Sequence, residues 1–207
     1  MNTFTQTMTE KEYRGAFGLS QSSIKEFLRS PAHYLASTES VEEPTKAMLF
    51  GTAFHAYLLQ KNPTDFVAVS KKFDLRKTDD KLAYAKFKEE NEGKVIINEE
   101  EYQTILKMKE NVLNHPVAGK ILREATHREV AVFADYDFGQ EHPKVQLKGL
   151  VDIYNENTGL TADLKTCEDA SPEGFRRAIR DRMYDIQNVH YDYCLNKRSE
   201  EHTSELR

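Results

Sequence analysis

Cysteine is scarce, tryptophan is missing, and no long apolar run interrupts the 207 residues of this chain. Cys167 and Cys194 are too few for a disulfide framework or for a four-cysteine zinc or iron–sulfur site, and both read as structural. No apolar stretch approaches the length that spans a bilayer, and the N-terminus MNTFTQTMTEKEYRG lacks a basic and then apolar leader pattern. Cytoplasmic residence with no membrane partner is therefore the default. Positive charge is also in deficit: 29 Lys and Arg stand against 34 Asp and Glu, for a net charge of −5. That excludes a protein that coats nucleic acid by bulk charge. It does not exclude an enzyme with a local basic groove, because bound metal ions offset an acidic site.

What is present suits one globular domain with a full core. Residues 1–18 read as an N-terminal arm and 19–197 as a single domain. The last ten residues, 198–207, closely resemble the translated read-through of a sequencing adapter, so the native frame is expected to continue beyond about Lys197. Ser20 reads as a helix N-cap, with Leu19 and Ile24 as a hydrophobic staple and Phe27 and Leu28 extending the apolar face. Pro31 suits the first position of a second short helix. The run from Thr45 to Leu59 is apolar nearly all round, which predicts a largely buried helix that Pro63 ends. A weak helix over Asp79–Asn91, a strand at Val95–Ile97 and a helix opened by an Asn98/Glu101 capping box follow.

The second half changes character. Glu129–Tyr136 and Lys144–Tyr154 are β-rich runs, Asn155–Gly159 is a hairpin signal, and Leu160–Thr166 predicts a third strand. Ser171-Pro172 and Asp185 open two more helices. The layout is α/β, with a mixed sheet, an antiparallel meander and flanking helices. The one dense basic cluster, Arg176, Arg177, Arg180 and Arg182, follows directly and reads equally as a solvated helix face.

An acidic residue, any residue, then Lys occurs three times: Asp79-Asp80-Lys81, Glu92-Gly93-Lys94 and Asp163-Leu164-Lys165. Roughly three are expected by chance in this composition, so context has to choose. Only the third lies in a strand-like run, where alternation would set Asp163 and Lys165 on one face beside Thr161. Asp152 returns across the hairpin towards that face. Two carboxylates and a lysine are the minimum equipment for cutting a phosphodiester with a divalent ion, which takes oxygen ligands and keeps several waters. Lys165 could position or deprotonate the attacking water, or simply form an ion pair with Asp152 or Asp163.

Six pieces of sequence occur in the order seen in RecE-type exonucleases of the PD-(D/E)XK nuclease superfamily. They are Leu19–Ser23 with Ser30–Tyr34, Ala47–His55, Glu129, Lys148–Asp152, Asp163–Thr166 and Tyr184–Tyr191. The chain resembles that family over about Leu19–Tyr193. The resemblance implies a restriction-endonuclease-like core and Mg2+ (or Mn2+) held by Asp152, Asp163 and the Leu164 carbonyl, with Lys165 as the catalytic lysine. His55 matches a histidine that joins the metal in RecB-like relatives. Glu129 matches a ligand of a second metal, and Gln187 and Tyr191 match a Gln-x-x-x-Tyr helix facing the site. Each of these has an ordinary structural alternative: a core histidine, a strand-edge charge, and helix packing. Relatives often carry a basic residue where this chain has Leu150, which leaves Lys148, Arg176, Arg177 and Arg180 as candidates for the DNA phosphate contact.

The activity implied is 5′→3′ digestion of one strand of linear double-stranded DNA in phage-type recombination. A RecT-type single-strand annealing protein and a ring-like homo-oligomer are the implied partners. A non-catalytic DNA-binding or assembly module on the same fold, or an endonuclease of the superfamily, are the rival expectations.

Overall fold

The computed structural model describes residues 4–5, 8–40, 43–139 and 142–205. In chain order the elements are β1 (Phe4–Thr5), α1 (Glu10–Gly15), α2 (Gln21–Arg29), α3 (Pro31–Glu39), α4 (Lys46–Leu59), β2 (Val67–Ser70), α5 (Thr78–Glu90) and β3 (Val95–Asn98). They continue as α6 (Glu99–Asn114), α7 (Pro116–Glu124), β4 (His127–Tyr136), β5 (Val145–Asn155), β6 (Leu160–Ala162), α8 (Pro172–Asp181) and α9 (Tyr184–Glu205). None of the described helices is long and apolar enough to cross a membrane. Helix α9 continues through most of the 198–207 tail, whose last two residues lie outside the described ones.

The chain divides into two compact units. The first comprises Met1–Glu42, Thr126–Asp163 and Cys167–Arg207; the second comprises Glu43–Ala125 and Leu164–Thr166.

The first unit is organised by an antiparallel sheet in the order β1-β4-β5-β6. Alternation along β4 and β5 brings Val130, Val132 and Ala134 to one face with Leu147 and Val151, where Tyr191, Cys194 and Leu195 of α9 cover them. Val130 and Val151 are fully enclosed, a burial worth about 1.5–3 kcal/mol for each side chain. Helix α2 begins where its sequence says, with the Ser20 hydroxyl accepting from the Ser23 N–H at 3.2 Å. Leu19 ties it to β5: its N–H donates to the Gln146 carbonyl and its own carbonyl accepts from the Lys148 N–H. The apolar face expected of α2 is not core, since Phe27 and Leu28 are 54% and 59% exposed. Phe27 instead meets Tyr34 of α3 edge-on, with ring centroids 6.1 Å apart.

In the second unit β2 and β3 pair in parallel, with Val67 opposite Val95. The parallel pairing expected of a mixed sheet is thus present, but in its own two-stranded sheet. Helix α4 is buried along its last two turns, as its all-round apolar sequence requires, and Tyr57 stacks at 5.3 Å on Tyr102 of α6. The Asn98/Glu101 capping box forms with both bonds at 2.9 Å. Four elements have no counterpart in the sequence reading. They are the two-residue β1, α1 within the stretch read as an N-terminal arm, the short parallel strand β2, and α7, which starts on Pro116 with the His115 ring accepting from Val117 and Ala118.

Candidate active site

Register places the acids. Arg128 pairs with Ile153 and Val130 with Val151, so Glu129 stands opposite Asp152 with no residue inserted on either strand. On the other side Ile153 pairs with Ala162, the last residue of β6, and Asp163 follows it directly. Glu129 and Asp152 therefore lie on adjacent strands of the first unit, with Asp163 just beyond the end of the third. Strand β6 stops at Ala162, short of the expected Thr166, so Asp163-Leu164-Lys165 follows the strand and strand alternation does not order it. Glu129 departs from the strand conformation too: its φ is +48°, in the left-handed region that costs a non-glycine residue about 1–2 kcal/mol.

Asp152 is buried at 7% exposure, whereas Asp163 is open to solvent and is held from behind. The Gln187 amide donates to Asp163 Oδ1 at 2.7 Å and to the Tyr191 hydroxyl at 3.0 Å. Gln187 and Tyr191 lie one turn apart on α9 and are both buried, so neither can turn away. Burial, with Asp163 next in weight, pushes the Tyr191 hydroxyl well above the ordinary tyrosine value, and it stays a neutral phenol. Gly149 admits the Tyr191 ring: a Cβ there would lie 3.0 Å from two ring carbons. His190 adds a second tie that sequence reasoning passed over, its Nε2–H donating to the Lys148 carbonyl at 2.9 Å. Its spacing of three from Gln187 was the available signal. Burial lowers the His190 pKa, and burial pushes the adjacent Cys194 thiol up to about 12, consistent with a structural cysteine.

The second unit holds the next residues of the tripeptide. His55, half-buried on α4, donates from Nε2 to the Leu164 carbonyl at 3.2 Å. Gly51, one turn earlier, makes this approach possible, since a Cβ there would meet Thr166 Oγ1 at 3.2 Å. Lys165, between those two contacts, is exposed.

Of the candidate phosphate contacts, Lys148 is engaged within the protein. Its three ammonium N–H groups reach the carbonyls of Tyr13, Arg14 and Ala16 at 3.1, 3.2 and 2.6 Å, so the side chain caps the end of α1. The same ammonium lies 5.2 Å above the Tyr13 ring, and burial, followed by the charge of Arg14, lowers its pKa. The arginines stay exposed on α8. Arg177 pairs with Asp169 at 3.0 Å and Arg180 with Asp181 at 2.9 Å, contacts weak enough in water to yield to a phosphate, and Arg176 is exposed beside them.

Among the described residues no group of three or more His, Cys, Asp or Glu side chains is placed to hold a metal ion. The donors present fit a hard ion that needs one or two carboxylates and completes its shell with water and substrate oxygens. No curated protein matches the chain. Residues 20–204 match the sequence profile described as a PDDEXK-like domain of unknown function (DUF3799), and with most of its length so accounted for the chain belongs to this PDDEXK-like family.

Proposed function

We propose that the protein is a Mg2+-dependent exodeoxyribonuclease of RecE type, hydrolysing one strand of linear duplex DNA in the 5′→3′ direction. The observation that carries the nuclease reading is the Gln187–Asp163 bond. It fixes an exposed carboxylate, one residue beyond the strand that pairs with the Asp152 strand, by a buried amide that is itself braced. Such bracing is how ligating carboxylates are oriented in metal sites.

In this reading Asp152 and Asp163 hold Mg2+ (or Mn2+). His55 Nε2 and the Leu164 carbonyl, 3.2 Å apart, form a further donor pair. When bound, the ion supplies Lewis-acid stabilisation of the phosphate and a lowered pKa for water. The protein does the rest. Gln187 keeps Asp163 in one orientation, and Tyr191 and Gly149 keep Gln187 in place. Lys165 positions the attacking water and offsets negative charge on the phosphate. Glu129 is the candidate ligand of a second ion. Arg176, Arg177 and Arg180 receive the DNA backbone. A RecT-type annealing partner and a ring-like oligomer accompany the same reading.

End-labelled linear duplex and a closed circular plasmid, each with and without Mg2+, provide the test. Loss of label from the linear substrate only, abolished by Asp163→Ala and by Lys165→Ala, is the expected result. Cleavage of the circle would make it an endonuclease, and full activity in either variant would overturn the site assignment.

A further inference from the structure

A second surface, remote in sequence from Asp152 and Asp163, carries chemistry that the proposed site does not use. Residues 71–88 of the second unit hold seven basic side chains and three acidic ones, a net +4 within a chain of net −5. Two of the three acids are spent on local structure. The Asp80 carboxylate accepts the Asp74 N–H at 2.7 Å, and Asp74 pairs with Arg76 at 2.9 Å. Lys86 pairs with Glu90 at 3.7 Å, while Glu89 and Glu92 close the segment at its far end.

Aromatic rings lie among these cations. Phe73 meets Tyr84 at 5.3 Å and Phe87 at 6.2 Å between ring centroids. Lys71 Nζ lies 5.2 Å over the Phe73 ring, and Lys88 Nζ 5.5 Å over Tyr84. Helix α5 has no fully buried residue, and its Tyr84 and Phe87 are half-buried in this ring cluster, each keeping part of its surface in solvent. Leu75 and Leu82 are exposed beside them, at 49% and 66%.

We infer that the Lys71–Lys88 surface binds single-stranded DNA, its lysines meeting phosphates and its rings meeting bases. An ammonium over a ring face is held by a weak attraction that a phosphate can outbid, and its departure uncovers the π-face. Cations tracking a backbone beside stacking rings are the general requirement for binding a single strand without sequence preference. A duplex would hide its base faces and use the lysines alone. The choice of DNA as the polyanion rests on the proposed function; the surface itself does not depend on the metal site.

The test is fluorescence anisotropy of a labelled oligothymidylate with the full chain in a metal chelator, over a salt series. Wild type and Asp163→Ala should bind equally, with affinity falling as salt rises. The Lys71→Ala/Lys88→Ala pair should weaken binding about tenfold and reduce the slope of log affinity against log salt by about 1.4, two contacts' worth. Tyr84→Ala should lose about tenfold with little change of slope. Unchanged melting temperatures would confirm that the variants are folded. Absence of binding by wild type, equal binding by the lysine pair, or loss of binding on Asp163→Ala alone would overturn the inference. Absence of nuclease activity would leave these results as they are, so the two readings fail separately.

Discussion

The first unit carries its candidate chemistry on a sheet, the second on a helix and a three-residue return of the chain. In the sheet, position is transmitted by register: once Val130 is paired with Val151 the places of Glu129 and Asp152 follow, and the pairing of Ile153 with Ala162 fixes where Asp163 leaves the sheet. In the second unit nothing local prepares His55 for the Leu164 carbonyl, 109 residues away. That contact depends on a missing Cβ at Gly51 and on a buried helix that fixes one face of α4. Ladders constrain many residues at once, whereas a helix-to-loop contact is a single bond.

The sharpest way to test that contrast is to remove one member from each side. Asp163→Ala should depress Mg2+-dependent cleavage on the order of a thousandfold, while His55→Ala should lose about 10–100-fold if it mainly orients Leu164. Equal losses in single-turnover assays would erase the distinction. Next in size is the core of the second unit, where Ile105 is fully enclosed. Ile105→Ala should cost about 2–5 kcal/mol in urea unfolding, and hydrogen exchange would show whether the sheet of the first unit loosens with it.

A pH effect belongs to the first unit. Burial holds the folded pKa of His190 below its unfolded value, so the unfolded chain binds the extra proton as pH falls below about 6.5. Stability should therefore be fully present above that pH and decline through mildly acidic conditions. His190→Gln should flatten this part of the profile in thermal melts. The smallest effect concerns Glu129. Replacing it with Gly should relieve the left-handed conformation and raise stability by about 1 kcal/mol, measured by denaturant titration. A loss of stability there would mean that the Glu129 side chain holds the sheet together.

Much of this architecture could be read directly from residue patterns. Ser20, Ser30, Thr45, Asn98 and Ser171 all cap the helices their side chains advertise, because a cap needs only the next three residues. The two long strands were visible for the same local reason. The end of β6 was not, since where a strand stops pairing is a property of two strands at once. Nor was the fate of Lys148: its three bonds reach Tyr13, Arg14 and Ala16, more than 130 residues back, and no periodicity encodes that. The Gln187–Asp163 contact lies between these cases. Helical spacing links Gln187 to Tyr191, but only the packed structure supplies Gly149 to seat the ring.

That seat has a consequence for how the protein can vary. With two Tyr191 ring carbons 3.0 Å from where a methyl group at 149 would lie, tighter than ordinary contact, the two positions are coupled. A larger residue at 149 is compatible with an undisturbed Gln187 only alongside a smaller one at 191, and that exchange also forfeits the hydroxyl that accepts from the amide. Homologues that keep the Gln187–Tyr191 pair should therefore keep glycine at 149 as well. A lineage that abandons one should be free to abandon the other, recording in paired substitutions whether its carboxylate still needs to be held.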